Sequence, residues 1–468
     1  MPVVTTSAPA EPTSTPALAP APTLTPTPTL TPTPTPTPTL APGAPATGSL
    51  RAAAARRAEE SERSGVLHPE VVAALTGAGL ARHFVPRRWG GTAGTFTALL
   101  DTVAGVGAAC ASTAWCGVLL AAHGRLAAHL PAEGQRELWG DSPDTRVAAA
   151  VVPPAGRLTR VPGGWTLSGE WAFASGVEHA EWLLLASLDG TGPGAPGYRV
   201  LAVPRERVGI RETWDAVGLR ATGSHSVVVD AADAVFVPEH RTFLRETLMT
   251  GATEAAEPGG VPAPCHRVPY PLVAALLFAA PALGAARGAL DAWTVLTGPR
   301  RLPDGSPLTA DPVVQQTFAR CAAEIDAAHL LLRAAAARAD GWTGTGAGGG
   351  TRDGRSTGTG PTGAGHSLGP LAPAPGTPGP TPCACDPAGS VTGGAAATAL
   401  NQRDAAVAVD LLTGAVERLM RTGGARGLIA GGGLERAWRD LHAIGAHAAL
   451  QPAPAAAAYA ATFFPSGA

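Results

Sequence analysis

The chain of 468 residues contains no lysine, since all 34 of its basic residues are arginine. This absence excludes chemistry that depends on lysine, such as a Walker-type phosphate loop or a Schiff base. Any bound anion must be held by arginine, by backbone N–H groups or by hydroxyls. The 36 acidic residues bring the net charge to −2. We therefore expect no nucleic-acid partner, because such partners need a basic face.

Patterned cysteines and long unbroken apolar runs are also lacking. The six cysteines form no CxxC pair, and we interpret them as reduced thiols of a cytoplasmic protein. No HExxH motif occurs, and we predict no metal site. The run nearest in character to a membrane span, 270–290, is interrupted by Pro271, Pro281 and Arg287. We expect a buried helix there and no membrane association.

Two segments have too few periodic apolar residues to fold. Residues 1–48 are mostly Pro, Thr and Ala, and they are expected to form a disordered tail. That tail has neither a basic start nor a long apolar core, so we do not expect a signal peptide. Residues 341–397 are rich in Gly, Thr and Pro and are expected to be a flexible insert.

In the rest of the chain, the pattern of apolar residues changes twice. Residues 49–145 have helical periodicity and predict an N-terminal helical domain, whereas the short β-rich runs of 146–240 predict a middle β-barrel or sandwich domain. Residues 241–468 predict a C-terminal four-helix bundle that carries the insert. The expected strands are 147–152, 165–168, 182–186, 198–203, 227–229 and 235–237. The expected bundle helices are 270–297, 311–340, 399–421 and 433–450.

A polar turn between two β-branched runs is the most informative stretch. It is built on Gly218, Arg220, Thr222, Gly223 and Ser224, and a Val-Phe-Val-Pro strand follows it. This stretch resembles the middle domain of the acyl-CoA dehydrogenase superfamily, in which the turn lies against a flavin. The order of helices, β domain and bundle is also similar to that fold. The resemblance implies an α+β, acyl-CoA dehydrogenase-like fold with Arg220, Thr222 and Ser224 at the flavin.

Two further motifs resemble the reduced-flavin monooxygenases of this superfamily. They are Ala-Ser-Thr-Ala-Trp, which ends at Trp115, and Trp-Ala-Phe-Ala-Ser-Gly, which contains Phe173 and Ser175. The resemblance implies that the Ser175 hydroxyl reaches flavin N5. It also implies that Trp115 and Phe173 wall an aromatic substrate. Core packing of Trp115 and a simple turn at Ser175 are the structural alternatives.

The segment Trp438-Arg439-Asp440-Leu441-His442-Ala443-Ile444-Gly445-Ala446-His447 resembles a helix of the same monooxygenases. By this resemblance His447 lies near flavin C4a and the substrate, where it would stabilise a hydroperoxide or deprotonate a phenol. On a helix over 433–450, His442 and His447 would lie about 140° apart and could not share a metal.

A dehydrogenase-type base is missing from the corresponding stretch of sequence. Acyl-CoA dehydrogenases carry a glutamate in a Tyr-Glu-Gly-type segment, whereas residues 427–435 are mostly glycine and apolar. Glu435 is the carboxylate in this stretch, and we expect it in the first turn of the next helix, where the helix dipole favours it. Removal of a proton from a thioester substrate is therefore disfavoured.

The resemblance implies the oxygenase component of a two-component monooxygenase. Reduced FMN, or alternatively FAD, would come from a separate reductase and react with O₂ through a C4a-hydroperoxyflavin to hydroxylate a small aromatic substrate. One of Arg300 and Arg301 would bind the flavin phosphate. In this superfamily the flavin commonly lies between subunits, which implies a homotetramer or, failing that, a homodimer.

Several segments resemble the hydroxylases that tailor aromatic polyketides, and one of them, 284–289, also predicts close helix packing through its glycines. Three other functions remain open at this point: an acyl-CoA dehydrogenase-like flavin oxidoreductase, an N-hydroxylase of an amino sugar, and a flavin-free scaffold.

Overall fold

The computed structural model describes residues 44–190, 197–253, 257, 259–343 and 394–464. Most of the expected tail and insert lies outside these residues. The described part begins with helix α1 at Ala44, inside the segment expected to be tail. After the insert the chain becomes helical again at Gly394. A Cβ atom built on Gly394 would lie 3.2 Å from the indole ring of Trp342. The chain therefore leaves the bundle and returns to it at the same place.

The N-terminal part is helical, as the periodicity of the sequence indicates. Helix α2 starts with proline in its first turn, and the Nδ1 atom of the preceding His68 accepts the backbone N–H of Glu70. Helix α4 is buried along almost its whole length, which agrees with its apolar sequence. The helices are α1 (Ala44–Ser64), α2 (Pro69–Gly77), α3 (Phe96–Gly107), α4 (Ala111–Ala127) and α5 (Ala132–Trp139).

A nine-stranded sheet follows, in which β3 pairs with β2, β7 and β8, and β1 lies parallel to β4. Its main path has the order β6-β7-β3-β2-β4-β5-β9. The sequence does not predict β2, which carries charged and exposed residues, or β6 and β9, which have three residues each. The strands are β1 (Val147–Ala150), β2 (Arg157–Val161), β3 (Gly164–Ala174), β4 (Trp182–Asp189), β5 (Gly197–Pro204), β6 (Gly209–Arg211), β7 (His225–Val229), β8 (Val235–Pro238) and β9 (Thr242–Leu244).

The C-terminal part contains the four expected bundle helices, which confirms the predicted α+β fold class. Two boundaries are wrong: the helix expected to begin at 399 begins at Gly394, and the last predicted helix, 433–450, ends at Gly445. His447 instead caps a separate 3₁₀ turn, so the angular argument about His442 and His447 does not apply. The helices are α6 (Arg245–Thr250), α7 (Pro264–Arg267), α8 (Tyr270–Thr297), α9 (Pro312–Asp340), α10 (Gly394–Gly423), α11 (Gly433–Gly445) and α12 (Pro452–Ala460).

Helix α8 is the centre of the bundle. By length and composition it could cross a membrane, but 78% of its most apolar stretch is buried within this fold. It packs against α3, α9, α10 and α11. The prediction of a buried helix at 270–290 is confirmed, and the burial favours a soluble protein.

The crossing of α3 and α8 depends on two glycines. A Cβ atom on Gly284 would lie 2.5 Å from the carbonyl oxygen of Ala104 and 2.6 Å from the Cα atom of Gly107. Contacts this short with backbone atoms cannot be relieved by rotating a side chain, so the two helices would have to separate. The predicted close packing of the 284–289 segment is confirmed.

Gly284→Ala should therefore lower the midpoint of thermal unfolding, because it overpacks the crossing at a cost of about 1–3 kcal/mol. Gly414→Ala is the matched control in helix α10, since a Cβ atom there would meet the guanidinium of Arg418 at 3.5 Å, an ordinary van der Waals contact. The control should stabilise the fold by about 0.5–1 kcal/mol. Equal midpoints for the two variants would contradict the close crossing.

Candidate functional site

A row of three hydroxyls lies where the sheet meets the helices. Ser175 follows β3 directly, and its Oγ atom lies 2.7 Å from the Oγ atom of Ser224, which lies 2.7 Å from Oγ1 of Thr222. Thr222 donates to the carbonyl oxygen of Leu219 at 2.8 Å, and the indole N–H of Trp115 donates to Ser175 at 3.1 Å. The protons of this hydroxyl row (Ser175, Ser224 and Thr222) therefore run in one direction, from the indole to the carbonyl.

The turn before the hydroxyl row is held by helix α11. Leu219 has a left-handed backbone with φ of 52°, which is unfavourable for a branched residue. Its N–H donates to the carboxylate of Asp440 at 2.6 Å, while Arg439 donates to the carbonyl oxygen of Val217 at 2.5 Å. A Cβ atom on Gly218 would lie 2.2 Å from the Arg439 carbonyl oxygen, so only glycine allows this contact. Helix α11 thus fixes three consecutive residues of the turn.

An aromatic cluster (Trp115, Phe278 and His447) lies on the helical side of Ser175. The rings of Phe278 and His447 stack with centroids 3.8 Å apart, and Trp115 lies 5.4 Å from Phe278 and 5.8 Å from His447. Burial lowers the pKa of His447, so its imidazole is neutral at pH 7. Its Nδ1 atom accepts the backbone N–H of Ala449 at 3.2 Å, which assigns the ring proton to Nε2.

The structure separates Phe173 from this cluster. Phe173 is 68% exposed, has a left-handed backbone with φ of 65°, and contacts Trp214 edge to face at 6.3 Å. A β-bulge between Trp171 and Ala174 accommodates this conformation. Trp214 lines an open groove of about 680 Å³ that reaches the start of the turn. Of the two predicted substrate-wall residues, Trp115 therefore lies in the aromatic cluster, whereas Phe173 packs against Trp214.

The predicted phosphate and flavin arginines do not meet the hydroxyl row within one subunit. Arg220 lines the open groove, where it contacts Asp215 at 3.3 Å and the carbonyl oxygen of Ala216 at 2.8 Å. Arg300 donates to the carbonyl oxygen of Gly423 at the end of α10. Arg301 is exposed in the loop that follows α8.

Two other candidate groups have structural roles. Glu435 lies in the first turn of α11 and pairs with Arg439, as expected for a residue that is not a base. Burial raises the pKa of the Cys116 thiol to about 12, so this thiol stays protonated and unreactive near neutral pH. The cysteines of the described residues, Cys110, Cys116, Cys265 and Cys321, are all free.

Sequence reasoning missed three participants. Phe278 lies within an apolar run of α8 and has no local signature. The backbone of Leu219 is an acceptor for Thr222 and a donor to Asp440, which no side-chain motif shows. Asp440 appears in the sequence only within the motif that contains His447, although its spacing of three residues from Ala437 and four from Ile444 places it on the buried face of α11.

Comparison with known protein families supports a flavin enzyme fold. The family model described as acyl-CoA dehydrogenase, C-terminal domain, matches residues 276–348 and 387–452. The match omits the middle of the insert, which indicates that the additional residues interrupt a family domain between α9 and α10.

Two relatives and one solved structure extend the similarity beyond the bundle. The oxygenase component of FADH(2)-dependent resorcinol hydroxylase from Rhizobium sp. (strain MTP-10005) is 37% identical over 60% of this chain and 68% of the relative. The flavin-dependent monooxygenase oxygenase subunit HsaA from Rhodococcus jostii is 31% identical over 59% and 71%. The crystal structure of 3-HSA hydroxylase from Rhodococcus sp. RHA1 superposes with a TM-score of 0.74 at 25% identity, covering 91% of this chain and 97% of that one.

We expect NMR titration of the histidines to show His447 with a pKa below its ordinary value of about 6.5. Its nitrogen shifts should show the proton on Nε2. Phe278→Ala should raise this pKa towards the ordinary value, because it removes the stacked ring that keeps water from the imidazole. An unchanged titration in the variant would contradict burial by Phe278 as the cause.

Proposed function

Because the chain belongs to the family of oxygenase components of flavin-dependent monooxygenases with the acyl-CoA dehydrogenase fold, we propose that it uses reduced flavin and O₂ to hydroxylate a small aromatic substrate. The observation that carries this proposal is the hydroxyl row lying directly beside the aromatic cluster, with Trp115 bonded to Ser175 at 3.1 Å. Trp115 thereby connects the hydroxyls that would bind a flavin to the aromatic rings that would contact a substrate.

The hydroxyl row fits a flavin edge. Each hydroxyl proton is donated along the row, so the free lone pairs of these hydroxyls are acceptors for the N–H groups of a reduced isoalloxazine. The exposed ring of Phe173 lies two residues before Ser175 and offers a flat apolar surface, and its unusual backbone is typical of a functional position. We propose that Ser175, Thr222 and Ser224 hold the ring system and that Arg220 lies at its open side.

Bound reduced flavin would supply the electrons that activate O₂. The protein's part is to orient the substrate and to control protons. Because Nδ1 of His447 accepts a backbone N–H, its Nε2–H is the group free to act on the substrate side. Of the two roles expected for His447, hydrogen-bond donation is therefore favoured over removal of a phenol proton.

Substrate entry requires movement in the aromatic cluster. A cavity beside Ser175 and Cys116 measures about 20 Å³, which is room for one water molecule, and its lining does not include the rings of the aromatic cluster. The stacking of Phe278 on His447 at 3.8 Å leaves no gap for a third ring. We propose that Phe278 swings aside to admit the substrate.

Partner, cofactor and location follow from the family and from the chain. We propose a separate reductase as the source of reduced flavin, because the relatives are named oxygenase components. The resorcinol hydroxylase is named FADH(2)-dependent, so reduced FAD is tested beside reduced FMN. We also propose a polyketide-type phenol as substrate and a cytoplasmic location, the latter on the free thiols. In a homotetramer or homodimer, Arg300 or Arg301 would reach the flavin of a neighbouring subunit.

Isotope transfer tests the reaction. The protein, a flavin reductase, NADH and either flavin are incubated under ¹⁸O₂ with resorcinol and with fused-ring phenols. We expect one ¹⁸O atom in the hydroxylated product. Binding of reduced flavin with transfer only to an amino group of a sugar would favour the N-hydroxylase. Bleaching of bound FAD by an acyl-CoA would favour the dehydrogenase, and no affinity for either flavin would favour a scaffold.

Ser175→Ala should lower product yield per NADH and raise release of hydrogen peroxide, each by about tenfold, because one buried hydrogen bond worth roughly 1–3 kcal/mol is lost. Ser187→Ala is the matched control. It removes a buried serine from the same sheet, bonded only to the carbonyl oxygen of Ala155. Equal product yields in the two variants would exclude a role for Ser175 at the flavin.

A further inference from the structure

The hydroxyl row is connected to a buried carboxylate that none of the proposed catalytic steps uses. Asp440 on α11 is 4% exposed and accepts the N–H of Leu219 at 2.6 Å. The carbonyl oxygen of that same residue accepts from Thr222, the end of the hydroxyl row. Leu219 therefore links the two groups: its N–H binds the carboxylate of Asp440, and its C=O is the acceptor at which the hydroxyl row ends.

The backbone between them needs external support. A left-handed leucine costs about 1–3 kcal/mol and persists only where its surroundings impose it. At Leu219 the N–H is fixed by Asp440, and the carbonyl oxygen accepts from Thr222 at 2.8 Å and from the indole of Trp214 at 3.0 Å. Without the carboxylate, the N–H of Leu219 would lose its partner, and the left-handed φ that directs the Leu219 carbonyl oxygen towards Thr222 would lose its support from α11.

We propose that Asp440 is a positioning residue, which holds Leu219 in its left-handed conformation and thereby sets the orientation of the hydroxyl row for flavin binding. This inference rests on the proposed function. It assigns to α11 a task distinct from that of His447, which lies beyond the end of the same helix.

The surroundings of Asp440 make this task sensitive to pH. Burial raises the pKa of its carboxyl to about 6, with Glu62 of α1 raising it further and the N–H of Leu219, Arg436 and Arg439 opposing the shift. The buried thiol of Cys110, which precedes α4, is the remaining titratable neighbour. Protonation weakens acceptance from the Leu219 N–H. Flavin affinity should therefore fall as pH falls through about 6.

The experiment measures the dissociation constants of reduced and oxidised FMN and FAD by quenching of protein fluorescence, for the full chain and two variants. Asp440→Asn keeps the shape but loses the charge, and Asp440→Ala loses both. We expect affinity for the preferred flavin to fall about tenfold in Asp440→Asn at pH 8, and further in Asp440→Ala. The ratio of the flavin dissociation constants of Asp440→Asn and the wild type should fall towards one at pH 5. Because both proteins bind the same flavin, this ratio is independent of any titration of the flavin itself.

Glu417→Gln is the matched control. Glu417 also anchors α11, through the indole of Trp438 at 2.7 Å, but it does not contact the turn. A purely structural role for Asp440 would lower the unfolding midpoint of its variants, while the folded protein kept wild-type flavin affinity at every pH. That result would overturn the inference. If the wild-type protein binds flavin in neither redox state, the proposed function fails and this inference fails with it.

A double variant tests the connection through the hydroxyl row. In a Ser175→Ala background, Asp440→Asn should weaken flavin binding less than it does in the wild-type protein, because its effect passes through Ser175. Additive losses would show that Asp440 acts on the flavin by some other route and would also overturn the inference.

Discussion

The site depends on one residue, Leu219, which is held in an unfavourable backbone conformation. Leu219 occupies left-handed backbone space although it is not glycine. Its N–H and C=O face two different parts of the fold, the bundle on one side and the β domain on the other. Because an unpaired buried peptide group costs about as much as a lost hydrogen bond, the conformation is stable only while both sides are in place. The turn is thus held by contacts from the helical bundle and from the segment that follows β6.

Because of this arrangement, the site is built from the neutral side chains of two serines, a threonine and a tryptophan, with no charged residue among them. The hydroxyl row contains no formal charge, and the imidazole beside it is kept neutral by burial. The charges of α11 lie behind the turn, where Arg439 pairs with Glu62 and Glu435. A neutral, largely dry site suits a reaction in which an activated oxygen species must be protected from stray protons and water.

Much of this could be predicted from sequence, for identifiable reasons. Periodic apolar residues located the bundle helices, and a local motif of six residues located Ser175 and Phe173. The predicted end of α11 is wrong because the apolar periodicity continues through Gly445, although glycine commonly ends a helix. The contacts among Trp115, Phe278 and His447 join three segments far apart in sequence, so no local pattern contains them. The left-handed backbone of Leu219 was equally inaccessible, because its cause is a carboxylate 221 positions away.

The close approach of Trp342 and Gly394 bears on how this chain could be lengthened. Because the end of α9 and the start of α10 are already in contact, the packing of the bundle does not depend on how many residues lie between them. Closing a loop twice as long costs only about 0.6 kcal/mol more. The junction between α9 and α10 is therefore a natural position for a guest domain or an affinity handle. Such an addition would leave the register of the bundle, and with it the turn at Leu219, unchanged.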